Sequence, residues 1–235
     1  MKSFNLIVPI AADKAAYEHE MPYVFGLNKN GIMHCVNSIL GLNLSVFDHI
    51  YFTILSKHEV KYELRDLLNL QLKRLGLCNA KVTILEEPTH SQPETVYKTI
   101  KQEHISGSVF IKDADGYFAC EVKPVNSIAI FPLEELAVVD PQNKSYVVVD
   151  DMFYITNIIE KKIISHYFNA GGVCFENVDD FCKYYNQVSK YGDKIYVSHV
   201  IYSMLLDKKV FRPILVENYE DFGNEKMFNL YLKPY

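Results

Sequence analysis

"SVFIKDADGYFAC" (residues 108–120) reads as a short apolar strand that stops at two carboxylates, Asp113 and Asp115, with only Ala114 between them. What that stop means depends on the segments before it. "FNLIVPI" (4–10) is a continuous apolar run, the pattern of a fully buried strand. "HIYFTIL" (49–55) and "AKVTILE" (80–86) are rich in β-branched residues and predict the second and third strands. Between them, "KHEVKYELRDLLNLQLKRLG" (57–76) sets Val60, Leu64, Leu67, Leu68, Leu72 and Leu75 on one helical stripe, with Gly76 where a helix stop belongs. "PETVYKTIKQEH" (93–104) predicts a further helix with Pro93 at its start. "SVFIKD" is then the fourth strand of a parallel, three-layer α/β arrangement.

Beyond residue 120 the rhythm changes. "NSIAIF", "SYVVVDD", "YITNIIEK" and "KIISHYF" predict strands in close succession. The helical stretches "NVDDFCKYYNQV" and "VSHVIYSMLLDK" follow, and then a last strand, "VFRPILVE" (210–217). No Gly/Ser/Pro-rich linker or repeat separates the halves, so residues 1–235 read as one domain with a parallel N-terminal half and a more mixed C-terminal half.

Composition narrows the function. With 49 % hydrophobic and 23 % charged residues, the chain has the make-up of an ordinary globular protein. A net charge of −5 argues against broad nucleic-acid binding, which rests on basic surface, but leaves room for small anionic substrates held by a few lysines. Cys35, Cys78, Cys120, Cys174 and Cys182 are scattered without a C-x-x-C pair, so neither a zinc knuckle nor a disulfide framework is expected. "MKSFNLIVPIAADK" is too short and too interrupted for a secretory leader or a membrane span, so the cytoplasm is the expected compartment.

In an open α/β sheet, ligands sit at the carboxyl ends of the strands. Asp113 and Asp115 fall there if "SVFIK" is central, and Gly116 permits the bend that would turn both towards one cation. Mg²⁺ suits such a pair, because it takes oxygen ligands and binds through one or two carboxylates plus substrate phosphates. The competing reading is structural: Asp and Gly also terminate strands for local hydrogen-bonding reasons. Phosphate-loop, dinucleotide, nucleophile-elbow and zinc-protease motifs are all missing from the sequence, and the eight histidines show no ligand spacing.

Read in order, "LIVPIAADK", "THSQPETVYKTI", "FIKDADGYF", "NIIEKKIISHYFNAGGVCFE" and "YEDFGNEKMF" resemble the nucleoside-diphosphate-sugar pyrophosphorylase group of nucleotidyltransferases, which share a GT-A-like sheet. The likeness looks closest to the branch found in capsule and other surface-polysaccharide clusters. It implies an enzyme that joins the nucleoside monophosphate of a triphosphate to a phosphorylated sugar or similar small acceptor and releases pyrophosphate. The resemblance makes Asp115, with Asp113 beside it, and Asp221 in "EDFGN" the Mg²⁺ ligands. It makes Lys161 in "IIEK", next to Glu160, the contact to the acceptor's phosphate. It puts Asn169, Gly171 and Gly172 around the sugar at a glycine turn, and Gln92, Pro93 and Glu94 near the base and acceptor. Ala11, Ala12 and Lys14 fall in the loop that would clamp the triphosphate.

The sequence departs from the group at that loop. Its members carry a glycine-rich loop with an arginine, followed by a Pro-Lys pair. Here "AADKAAYEHEMPYVFG" has no glycine before Gly26 and no arginine, Tyr23 follows Pro22, and Asn224 stands where a threonine is usual. Lys14 is the only basic residue there, and Glu18 and Glu20 oppose it. Two further functions stay open: a GT-A glycosyltransferase that uses a ready-made nucleotide sugar, and a member that binds a nucleotide or a partner without turnover.

Overall fold

The computed structural model describes residues 3–11, 21–136, 143–192 and 194–223. In chain order the N-terminal half runs β1 (Phe4–Pro9), α1 (His34–Asn37), β2 (His49–Leu55), α2 (Ser56–Tyr62), α3 (Leu64–Arg74), β3 (Ala80–Leu85), α4 (Gln92–Gln102) and β4 (Ser108–Lys112). The second half runs β5 (Gly116–Ala119), β6 (Ser127–Pro132), β7 (Ser145–Val149), β8 (Ile155–Glu160) and β9 (Tyr167–Phe175). It ends with α5 (Val178–Val188), α6 (Val197–Leu206), β10 (Arg212–Leu215) and β11 (Glu217–Asp221).

The main sheet has the order β10-β6-β9-β4-β1-β2-β3, with β7 and β8 joined beside β9. β4, β1, β2 and β3 are mutually parallel, and β9 runs antiparallel to both β4 and β6. The expected mixture is therefore present, parallel first and mixed later. Side chains alternate across it as strand pleating requires. Leu6, Val8 and Phe110 face a core shared with Leu64, Leu68 and Leu72 of α3. Ile7, Val109 and Ile111 face the opposite core with Val96 of α4, Phe181 of α5 and Ile201 of α6. That gives three layers. Each fully buried Phe or Leu in them contributes roughly 1.5–3 kcal/mol of transfer free energy.

Three local expectations need correction. The single helix over 57–76 is two, because Glu63 adopts a left-handed conformation (φ 53°). The Glu59 carboxylate accepts the Arg65 N–H at 2.5 Å and so starts α3 afresh. The apolar stripe shrinks with it: Leu64, Leu68 and Leu72 are buried, while Val60, Leu67 and Leu75 are exposed. "KIISHYF" is strand only from Tyr167 onwards, since the Ser165 hydroxyl donates to the carbonyls of Val147 (2.6 Å) and Tyr167 (3.0 Å) and closes a bend. Gly171 and Gly172 accordingly lie inside β9 rather than in a turn. The last strand is interrupted at Val216, whose N–H goes to the Ile130 carbonyl (3.1 Å), and β11 then pairs with β5 in a separate two-stranded ladder.

Candidate active site

β4 lies between β1 and β9 and is buried along its whole length, so the two aspartates do emerge at the carboxyl end of a central strand. The last residue of that strand is a lysine with no exposed surface. Lys112 Nζ donates to the carbonyls of Asp113 (3.0 Å) and Gly116 (2.8 Å) and lies 4.4 Å from the centre of the Phe118 ring. It thus ties the Asp113–Gly116 bend together from below. Burial pulls its pKa down to about 8, against the pull of Asp113 and Asp115 to keep it charged.

Asp113 is fixed from two sides. Its N–H donates to the Gly171 carbonyl (2.8 Å), and its Oδ1 accepts a short hydrogen bond from Gln92 at the start of α4. Gly171 has φ +88°, and a Cβ there would stand 2.7 Å from Asp113 Oδ2, so the carboxylate packs where any other residue would intrude. Asn169 Oδ1 accepts the N–H groups of Gly171 (2.9 Å) and Gly172 (3.3 Å) and holds this stretch of β9 in place. Gly172 serves packing: a Cβ would fall within 3.0 Å of Phe118, Phe110 and Ala129. Gln92, Asp113, Asn169 and Gly171 therefore form one side of the site.

Asp115 belongs to the other side. The β5–β11 ladder pairs Asp221 with Gly116, and the Phe222 N–H donates to the Asp115 carbonyl at 3.0 Å. A Cβ on Gly223 would lie 2.9 Å from Asp221 Oδ1 and 3.2 Å from Asp115 Oδ2, and the Gly223 N–H donates to Asp221 Oδ1 (2.8 Å), so both carboxylates lie against Gly223 and close to one another. Residues 106 positions apart in "DADG" and "EDFG" thus meet through a ladder that neither stretch announces.

Lys144, just ahead of β7, completes this side. Its Nζ pairs with Asp221 Oδ2, donates to the Tyr219 hydroxyl (2.6 Å), and lies about 5 Å from the rings of Phe168 (5.5 Å) and Tyr219 (5.3 Å). Burial opposes its charge, but the Tyr219 oxygen and the Asp221 carboxylate outweigh burial and hold the ammonium's pKa above the ordinary lysine value. Burial likewise raises the Tyr219 phenol, which stays protonated.

The remaining expected residues are placed as follows. Lys161 is an exposed residue in a left-handed turn (φ 58°) after β8; its N–H donates to the Lys144 carbonyl (2.9 Å). Its ammonium, however, turns to the Tyr196 hydroxyl (3.0 Å) at the start of α6. Glu160 accepts from the hydroxyls of Ser145 and Ser198. Glu94 accepts the His90 N–H (2.7 Å) and pairs with Lys98 (2.8 Å), and its pKa is lowered: burial opposes the shift, but the hydrogen bonds from Lys98 and His90 and the Lys98 charge outweigh it. Pro93 is buried in the first turn of α4. Ala11 is buried against Leu55 and Leu85, and its carbonyl accepts the Thr89 N–H (3.2 Å), which brings the end of β1 beside the approach to α4. Ala12 and Lys14 lie outside the described residues.

Lys112, Lys144 and Tyr219 were not singled out in the sequence. Lys112 had a signal, a charged residue inside a buried run. Tyr219 stands two residues before Asp221 and so shares its face on β11. Nothing in "NKSYVVV" marks Lys144.

Among the described residues no group of three or more His, Cys, Asp or Glu is arranged to hold a metal. The Asp115–Asp221 pair is nonetheless a donor set that fits Mg²⁺, which needs only one or two carboxylates when substrate phosphates and water fill the remaining positions. Asp113, bonded to Gln92 and packed under Gly171, is placed to orient the bend. No helix of the described residues is long and apolar enough to cross a membrane.

No family model and no curated protein sequence matches this chain. Solved structures do. A nucleoside-diphosphate-sugar pyrophosphorylase from Vibrio cholerae RC9 superposes with a TM-score of 0.77 at 13 % identity, over 98 % of this chain and 100 % of that one. The inositol-1-phosphate CTP transferase from T. maritima gives 0.71 at 16 % identity, over 98 % and 95 %. A UDP-glucose pyrophosphorylase complexed with UDP-glucose gives 0.71 at 10 % identity, over 98 % and 97 %. The fold is that of the nucleotidyltransferases the sequence resembles, over essentially the whole chain.

Proposed function

We propose that this chain is a metal-dependent nucleotidyltransferase that joins the nucleoside monophosphate of a triphosphate to a small phosphorylated acceptor, such as a sugar phosphate, and releases pyrophosphate. The observation that carries this reading is the approach of Asp115 and Asp221 to one another against Gly223 at the end of the central strand, with a lysine on the same wall. The fold shared with pyrophosphorylases supports it.

In the reaction, an acceptor phosphate oxygen attacks the α-phosphorus; the new O–P bond forms as the bond from the α-phosphorus to the bridging oxygen breaks, and pyrophosphate leaves with its electron pair. The attacking oxygen is already ionised, so no general base is needed. Asp115 and Asp221 would hold Mg²⁺, which would supply positive charge against the phosphates. The chain's own contributions are positional. Lys112 fixes the bend that presents Asp115, while Gln92 and Gly171 set Asp113 and the wall beside it. Gly171, Asn169 and the start of α4 frame the acceptor side, and the resemblance makes Lys161 the contact to the acceptor's phosphate, for which its ammonium would have to leave the Tyr196 hydroxyl. The resemblance of the motifs to the surface-polysaccharide branch favours an activated glycan precursor, made in the cytoplasm, as the product.

One observation favours a second reading. The loop that should clamp the triphosphate has Lys14 as its only lysine or arginine, with Glu18 and Glu20 opposing it. A chain that binds a nucleotide or a nucleotide sugar without turnover would tolerate that loop.

Calorimetric titration of Mg²⁺ with each common nucleoside triphosphate tests the metal assignment. Asp115→Asn and Asp221→Asn should each weaken metal-dependent binding by about tenfold or more, since an amide is a poor ligand for a hard cation. Unchanged binding in both variants would refute it.

A further inference from the structure

Asp221 faces two cations in this account, and only one is part of the protein. Its Oδ1 lies on the side of Asp115 and accepts the Gly223 N–H (2.8 Å), while its Oδ2 is already paired with Lys144. Lys144 is well placed to stay there. Its side chain is 15 % exposed, the Tyr219 hydroxyl takes a second hydrogen bond, and the rings of Phe168 and Tyr219 wall it in. A divalent ion arriving between the carboxylates meets an ammonium on the same aspartate, and like charges at that range repel. An ammonium released from Asp221 remains on the same wall, on a flexible four-carbon stem. Phosphates that arrive with the cation would bring it new anionic partners on that wall.

We infer that Lys144 is a resident counter-ion of the carboxylate pair that exchanges its partner on substrate binding: it gives up Asp221 to the divalent cation and donates instead to a phosphate oxygen of the triphosphate. Lys144, rather than the exposed Lys161, is on this view the lysine closest to the reacting phosphates. The inference rests on the proposed reaction. It predicts opposite effects on two ligands, which a purely structural role for Lys144 would not produce.

The test uses the full chain and Mn²⁺ as probe. Lys144→Met keeps the stem and removes the charge. Without nucleotide it should bind Mn²⁺ about tenfold more tightly than wild type, because the competing cation is gone. With Mn²⁺ saturating, it should bind the triphosphate about tenfold to a hundredfold more weakly, the range for a lost charge-assisted hydrogen bond. Tyr219→Phe provides a second variant should Lys144→Met not fold. It keeps the charge and removes one anchor, so Mn²⁺ should bind more tightly while triphosphate affinity is retained. Mn²⁺ affinity unchanged in both variants overturns the inference. So does a Lys144→Met chain with tighter Mn²⁺ binding but unaltered triphosphate affinity. Failure of the proposed reaction looks different: wild type would release no pyrophosphate, whatever the Mn²⁺ titrations show.

Discussion

At Gly171 a positive φ and a carboxylate in the space a Cβ would need coincide. Gly171→Ala should therefore cost about 1–3 kcal/mol in urea unfolding, from the left-handed backbone and the clash together. It should also weaken acceptor use more than triphosphate binding, because Asp113 moves with it. The glycine pair stood out in the sequence, but the separate tasks of its members did not: Gly171 meets Asp113, while Gly172 meets core rings from β4 and β5. Lys112 makes a different prediction. Lys112→Met leaves the carbonyls of Asp113 and Gly116 without their donor, a loss of roughly 1–3 kcal/mol near neutral pH. Burial lowers the folded pKa of Lys112 from 10.5 to about 8, so between those values the unfolded chain binds more protons. Stability from Lys112 is then fully present above the upper value and lost as pH falls through the lower one. The advantage of wild type over Lys112→Met, followed by denaturant midpoints, should grow from pH 7.5 to pH 10; a constant difference would contradict the buried, titrating lysine.

Among elements, the legible ones were those whose side chains settle their own environment. β1, β2 and β4 are predominantly apolar runs, the pattern of strands buried on both faces. β11 is the opposite case: "ENYED" is polar throughout and earns its strand geometry only from pairing with β5, so no periodicity betrays it. Yet this ladder is what delivers Asp221 to Asp115. The α2–α3 break was hidden for a related reason, since the apolar spacing runs from Val60 across Glu63 to Leu64 and on while one left-handed residue turns the axis. Glu63→Gly should accordingly stabilise the protein by a few tenths to about 1 kcal/mol, the relief of a left-handed residue offset by the added freedom of the unfolded chain. A midpoint that falls would show that the Glu63 side chain does more than tolerate its backbone.

For the whole molecule, the shielded thiols contribute to the alkaline limit. Burial raises Cys35 and Cys120 from 9.0 to about 12, and raises Cys174 further. The folded chain then keeps protons that the unfolded chain releases, so this stability is complete below pH 9.0 and lost as pH climbs towards 12. Unfolding midpoints should decline over that window, and Cys35→Ala should decline less steeply than wild type. The alternation of strand and helix exposed the layered α/β plan in the sequence, whereas the site depended on contacts made at long range, between Asp115 and Asp221 and between Lys144 and Tyr219. The central claim, transfer of a nucleoside monophosphate to a phosphorylated acceptor, is tested most directly by a pyrophosphate-release assay. The four common triphosphates are each incubated with Mg²⁺ and a panel of phosphorylated sugars and polyols. Pyrophosphate should appear with at least one pairing, dependent on both the acceptor and Asp115. No release from any pairing, with tight binding of a ready-made nucleotide sugar, would contradict that claim.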